Sequence, residues 1–311
     1  MELTAEQRKG VKGQGFLSNN DGIHFSARIV TGNGVLTAEQ MQAVSSLARQ
    51  YGNGQVALTS RMTIELPGVR FDDIPQLQVD LGKVGLATGG TGSKVRPVVS
   101  CKGTVCTFGL IDTQGLAQEI HERFYEGYRN VNLPHKFKIA VGGCPNNCVK
   151  PDLNDLGVVG QRQPAFRAEA CRGCGKCQVE EACPMDAAHV VDGLLQIDPE
   201  RCNNCGRCIG TCPFHALDEG QTAYKIYVGG RWGKLIRHGT PLQHLFSRGE
   251  VFDVIEKAIL LFKDRGEAGE RFGSLVDRMG AAKVEKALLS PSLLRRKEEI
   301  LAVQTEGGAT C

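Results

Sequence analysis

The chain has 311 residues, 41% of them hydrophobic and 23% charged, with a net charge of +3. That length suits one large domain or two to three smaller ones with real cores, and so small a charge argues against a nucleic-acid partner. No run approaches the roughly 18 uninterrupted apolar residues of a membrane helix, and Met1-Glu2-Leu3-Thr4 lacks the basic end and apolar stretch of a secretory signal, so a cytoplasmic protein is expected.

Residues 22–31 read as a strand that ends in a turn at Gly32-Asn33-Gly34. Thr37 then caps a helix, with Gln40 as its capping-box partner. Met41, Val44, Leu47 and Ala48 keep helical spacing to Tyr51. Residues 55–66 alternate as one strand through Val56, Leu58, Ile64 and Leu66, and 72–84 form a second helix. This βαβ-like start gives way to Thr88-Gly89-Gly90-Thr91-Gly92, a loop without the strand–turn–helix setting of a dinucleotide fingerprint. Nothing in the chain supports NAD or flavin binding. A helix near 113–127 and a strand at 136–142 lead into Cys144 and Cys148. After 218, a strand at 222–228 precedes helices around 250–264, 267–279 and 281–289.

Cysteine departs from this ordinary background. Twelve of the 13 stand in tight groups, which in a reducing compartment point to metal ligands and not to disulfides. Cys311, the last residue, is left as a tail thiol without a role. Cys171, Cys174, Cys177 and Cys183 form C-x2-C-x2-C-x5-C-P, and Cys202, Cys205, Cys208 and Cys212 form C-x2-C-x2-C-x3-C-P, the bacterial ferredoxin run. In such runs three thiolates cap three corners of a cubane and the fourth comes from the other run. Cys171, Cys174 and Cys177 with Cys212 therefore hold one 4Fe–4S cluster, and Cys202, Cys205 and Cys208 with Cys183 another. Pro184 and Pro213 follow the remote ligands, where a fixed φ turns the chain away. Two structural zinc sites would need only C-x2-C pairs; the third cysteine and the Cys-Pro partner favour iron. The block from about 167 to 217 reads as a small domain inserted into a larger α+β one.

A second constellation stands outside it. Cys101 and Cys106 bracket four residues, and Cys144 and Cys148 bracket three. Four soft ligands in two pairs suit a third 4Fe–4S cluster better than a hard cation, with a zinc site as the alternative on spacing alone. Lys136 and Lys138 are two apart on the preceding strand, so they share a face beside the cluster. Two lysines usually mark only a solvated face. On a strand that leads into metal ligands they read as the lining of an anion site.

Gly143-Cys144-Pro145-Asn146-Asn147-Cys148, preceded by Lys136-Phe137-Lys138, resembles the signature of sirohaem-dependent sulfite and nitrite reductases. Phe25 to Val35 resembles that family's first strand and turn, and Leu58-Thr59-Ser60-Arg61-Met62-Thr63 resembles its "LT-x-R-x-T" strand. The likeness runs from about 20 to 290 and is nearest to single-repeat forms with a ferredoxin insert, such as the catalytic subunit of anaerobic or dissimilatory-type sulfite reductase. It implies an α+β sulfite-reductase-like fold with a ferredoxin-like half over 1–92, a sirohaem and 4Fe–4S domain in two parts over 93–166 and 218–311, and the two-cluster ferredoxin insert over 167–217. It also implies that Cys101, Cys106, Cys144 and Cys148 hold the third cluster and that Cys148 bridges to the sirohaem iron. Arg28, Arg61, Lys136 and Lys138 would face the substrate on the distal side, while Arg96, Arg231 and Lys234 would meet the haem's carboxylates. Two positions depart from the family pattern: the first cysteine pair has four intervening residues where five are usual, and Met62 stands where glutamine is common.

The implied activity is the six-electron reduction of sulfite to sulfide, with two arginines and two lysines making charge-assisted hydrogen bonds to the oxyanion. Electrons would come from an external donor, a ferredoxin or a flavin-containing subunit, and pass through the insert. Nitrite reduction to ammonia suits the same cations. An electron-transfer subunit without its own sirohaem is the alternative from a different class, although a pure wire needs no anion pocket. A single repeat also implies pairing, as a homo-oligomer or with a related subunit.

Overall fold

A computed structural model describes residues 3–303; Cys311 lies outside the described residues. The chain opens with α1 (Ala5–Gly13), which starts at a capping box between Thr4 and Gln7 and was not expected from the sequence. β1 (Phe16–Ser18) and β2 (Phe25–Val30) follow. Along β2, Phe25, Ala27 and Ile29 are buried while Ser26, Arg28 and Val30 are half-buried, the period of two that a one-sided sheet imposes. α2 (Ala38–Tyr51) begins at the expected Thr37–Gln40 capping box.

The single strand expected over 55–66 is instead a hairpin. β3 (Ala57–Leu58) and β4 (Ile64–Val69) pair antiparallel. The chain reverses because Thr59 Oγ1 accepts the amides of Arg61 and Thr63 at 3.3 and 3.2 Å, and Met62 takes a φ of 59°. A local hydroxyl–backbone turn wins here over the continuous ladder that alternation alone predicts. Arg61 therefore projects from a turn. α3 (Ile74–Gly82) and β5 (Ala87–Thr88) complete this layer, an antiparallel sheet of order β1-β2-β4-β3 with β5 also on β2. Val44, Leu47, Leu77 and Leu81 of the two helices pack on Phe25, Ile29, Ile64 and Leu66.

The second layer holds the cysteines. β6 (Val99–Ser100), α4 (Thr113–Ile120), β7 (Ile139–Gly142) and β8 (Leu156–Ala165) precede the insert. Within it lie α5 (Gln178–Glu181) and the hairpin of β9 (Ala188–Val191) and β10 (Leu194–Ile197). β11 (Glu219–Val228), β12 (Thr240–Phe246), α6 (Arg248–Arg265), α7 (Phe272–Met279) and α8 (Ala281–Leu289) follow, with two short helices after them. The sheet order is β12-β11-β8-β7-β6, with β6, β7 and β8 parallel and the rest antiparallel. β8 and β11 pair from Ala165–Glu219 to Leu156–Val228. The insert thus leaves and re-enters the sheet at neighbouring strand ends, which lets it exist without breaking the core. Phe137, Phe262 and Phe272 meet at 5.1 to 6.0 Å beneath the sheet. Among the described residues no helix is long and apolar enough to cross a membrane.

Candidate active site

Parallel pairing of β6 and β7, with Ser100 opposite Val141, brings Cys101 and Cys144 out at the same end of the sheet. The Gly143 amide donates to Cys101 Sγ at 3.1 Å, and Thr113 Oγ1 donates to the Cys101 carbonyl at 2.7 Å. Glycine is required where the two cysteine loops touch: a Cβ on Gly103 would lie 2.9 Å from Gly143 Cα, and the reverse holds. A single 3-10 turn, Gly103–Val105, spans the shortened first pair. Burial pushes the Cys144 thiol up, with Cys101, Cys148 and Cys106 as its charged neighbours, so the four sulfurs form one group. Cys148 is the exposed member.

The insert repeats this arrangement. Burial pushes Cys208 up to about 11, and Cys202, Cys205 and Cys183 act on it in the same direction. Cys183 thus lies near the cysteines of the second run. Cys171, Cys177 and Cys212 pack with Cys183 and Cys208 around Val179, Ala188, Leu195 and Leu217. All twelve described cysteines are free thiols. Among the described residues no three His, Cys, Asp or Glu side chains converge on a single-ion site. Donor sets made of thiols alone are soft and suit iron–sulfur clusters.

The two cysteine systems face each other. Cys205, Gly206 and Arg207 share a cavity of about 220 Å³ with Cys144, Pro145, Asn146 and Phe108. A second cavity places Cys202, Asn203 and Asn204 against Pro145 and Asn147. The second run is thus the one next to the Cys144–Cys148 loop.

The cations form a separate cluster. Phe137 and Ile139 are buried while Lys136 and Lys138 are half-buried, so the two lysines do share a face. They are not directly beside the cysteines, however. Lys138 precedes β7 and the cysteines follow its far end; Lys138 to Gly142 is roughly 13 Å of extended chain. What returns to the lysines is the segment after Cys148. Asn154 Nδ2 donates to the Lys150 carbonyl at 3.0 Å, and Arg61 Nη1 donates to Asn154 Oδ1 at 2.9 Å. Arg61 Nη2 donates to the Pro97 carbonyl at 2.8 Å.

Burial and the charges of Arg28 and Arg271 push Arg61 down to about 10. Burial, with Arg28 and Arg61, brings Arg96 to about 9. Burial, then Arg61, Arg271 and Lys136, bring Lys138 to about 8 against the opposing pull of Asp155. Mutual depression of this kind marks positive groups crowded out of water. Arg28 differs, because Glu65 Oε1 accepts from its Nε and Nη2 at 2.9 and 2.6 Å. The Nε atoms of Arg61, Arg96 and Arg271 are buried without a hydrogen-bond partner. Orphaned donors on crowded cations are what an oxyanion or a carboxylate-rich cofactor would satisfy.

Arg231 and Lys234 are not part of this cluster. They lie on the loop between β11 and β12, where Arg231 Nε donates to the Leu235 carbonyl at 3.1 Å and Lys234 is exposed. Sequence reasoning missed Asp155, which is fully buried. Its oxygens accept from Arg271 Nη2 at 2.9 and 3.0 Å, and Oδ2 also accepts the Lys138 amide at 2.9 Å. No spacing signal links Arg271 to Lys138. Their proximity is set by Phe272, next to Arg271, packing on Phe137, next to Lys138, with ring centroids 5.1 Å apart. His135 was also missed; burial, with Arg271, Lys136, Arg96 and Lys138, takes it down to about 4 and leaves it neutral.

Residues 91–293 match the nitrite and sulphite reductase 4Fe-4S domain, and 19–84 match the nitrite/sulfite reductase ferredoxin-like half domain. The chain is 32% identical over 266 residues to the coenzyme F420-dependent sulfite reductase of Methanocaldococcus jannaschii, covering 85% of this chain and 42% of that protein. It is 32% identical over 164 residues to one of the subunits of the anaerobic sulfite reductase of Salmonella typhimurium, covering 46% of this chain and 45% of that one. It is also similar to the crystal structure of dissimilatory sulfite reductase I, with a TM-score of 0.68 and 25% identity over 85% of this chain and 69% of that chain. The chain spans less than half the length of the two curated relatives. With its paired cysteine loops and crowded cations on this two-layer frame, the chain belongs to the nitrite and sulphite reductase family.

Proposed function

We propose that the protein reduces sulfite to sulfide, with sirohaem coupled to a 4Fe–4S cluster on Cys101, Cys106, Cys144 and Cys148, and with Cys148 as the shared ligand. The observation that carries this reading is the cluster of Arg61, Arg96, Lys136 and Lys138, joined to the Cys148 loop through Asn154. When bound, sirohaem and its coupled cluster supply the iron site and the electrons of the six-electron reduction. The chain's own part is to bind the anion and to hold positive charge where oxygen departs as water. Arg28, neutralised by Glu65, serves this pocket by holding the Gly90 carbonyl, to which its Nη1 donates at 3.2 Å. Neutral His135 accepts the Lys136 amide at Nδ1 at 2.8 Å.

Residues 167–217 are proposed as a two-cluster ferredoxin domain. Its second run lies against the active-site loop, which suits it as the last step of an electron path from a donor protein. Cys183→Ser and Cys208→Ser are expected to remove the same 4Fe–4S resonance, and Cys212→Ser a different one. Identical losses from all three would contradict the crossed pairing. A ferredoxin or flavin-containing subunit is proposed as donor. The assembly is proposed to include a second copy or a related subunit, and the solution mass of the holoprotein reads this.

The direct test uses purified protein carrying its haem bands, with reduced viologen as donor. Sulfite consumption matched by sulfide release is expected, and neither in a haem-loaded sample would end the proposal. Nitrite suits the same cations, so the ratio of kcat/KM for the two anions assigns the preferred substrate.

A further inference from the structure

α4 does not end as an α-helix. Its last turn widens into a π-helix over His121–Glu126, where the Gly127 amide reaches back to the Glu122 carbonyl. One extra residue in a helical turn rotates the side chains beyond it by roughly 100°. π-Bulges recur at functional sites because they re-aim a side chain. The one re-aimed here is Tyr125, which is buried with the His121 ring packed on it at 4.6 Å. Its hydroxyl accepts the Gly90 amide at 3.0 Å.

Gly90 matters because of what its other end holds. Its carbonyl accepts from Arg28 Nη1 at 3.2 Å and also from Arg96 Nη1. A carbonyl oxygen has two lone pairs, and both are used. Gly90 takes a φ of +70°, and a Cβ there would sit 3.0 Å from the Pro97 ring, so only glycine fits. The same freedom would let the carbonyl swing were the amide end not fixed. A Cβ on Gly89 would likewise collide with the Tyr125 hydroxyl.

We infer that Tyr125 is a positioning residue of the anion pocket: the π-turn sets its hydroxyl on the Gly90 amide, and the anchored Gly90 carbonyl holds Arg96 and Arg28 in place. This rests on the proposed anion-binding role of the cluster. A tyrosine that merely filled the core would act independently of Arg96.

The test is equilibrium binding of sulfite to the oxidised holoprotein by calorimetry. Tyr125→Phe keeps the ring and removes the acceptor, so the Kd is expected to rise about tenfold with iron content and haem bands unchanged. Arg96→Lys should also weaken binding, and the double variant should add less than about twofold to it, because both act through one contact. Full multiplication of the two effects, or Tyr125→Phe binding as the wild type does, overturns the inference. Should Tyr125→Phe fold poorly, a ring-fluorinated tyrosine at 125 weakens the same oxygen as an acceptor without changing the packing. A loss of affinity there supports the role, and unchanged affinity overturns it. A wild-type holoprotein that binds no sulfite overturns the function itself, which is a distinguishable result.

Discussion

Asp155→Ala is expected to destabilise the protein by about 3–5 kcal/mol and to abolish sulfite turnover. Asp155 is fully buried and its carboxylate faces Arg271, Lys138 and Arg61. Buried ion pairs gain little over apolar packing, but removing one partner strands the other charge in a medium of low polarity. Here the stranded group is Arg271, whose Nε already lacks a partner. The Lys138 amide would lose its acceptor as well. Thermal unfolding should show a drop on the order of 10 °C. Asp155→Asn keeps an oxygen for the Lys138 amide and loses only the charge, so it should fall between wild type and Asp155→Ala. A wild-type melting point for Asp155→Ala would show that the cations are balanced elsewhere.

Lys138→Ala is expected to lower kcat/KM for sulfite by about 10²- to 10³-fold, the range for removing one donor aimed at developing charge, while the haem spectrum stays the same. A collapsed spectrum would mean that Lys138 supports the fold and not the substrate. Its titration supplies a sharper signature. Burial and the neighbouring cations hold the ammonium down at about 8, and only the protonated amine attracts an anion. Well below pH 8 the charge is present in full, and as pH rises through 8 the free enzyme loses it. The wild-type kcat/KM should therefore fall above about pH 8. Bound anion favours the ammonium, so kcat should turn down at a higher pH than kcat/KM. Lys138→Arg keeps its charge throughout this range and should lose the inflection, while titration of the substrate itself affects both proteins equally. An unchanged inflection in Lys138→Arg would assign it to another group.

The legible parts of this protein are those whose chemistry is local in the chain. Cysteines in motifs recur at spacings set by one loop, so all four groups stand out in the bare sequence, and the crossed placement proposed for Cys183 comes from the repeat itself. The Thr37–Gln40 capping box was equally plain, because its two hydrogen bonds join residues three apart. The hairpin at Thr59–Thr63 was not, since alternation of apolar residues does not reveal a hydroxyl that turns the chain back on itself. Arg231 and Lys234, read from the sequence as basic residues beside glycines, lie on the loop between β11 and β12, apart from the other cations.

Sequence alone determined the grouped cysteines, the lysine pair on one strand face and the family pattern around Cys148. Only the folded chain decided that the lysines and the cysteines lie beyond opposite ends of β7, that the segment after Cys148 connects them, and that Asp155, Arg271 and Arg96 gather around Arg61 and Lys138. The reason is physical. Ligand spacing is governed by a few covalent bonds, whereas a buried charge cluster is assembled by sheet pairing and helix packing between residues as distant as Arg61, Asp155 and Arg271.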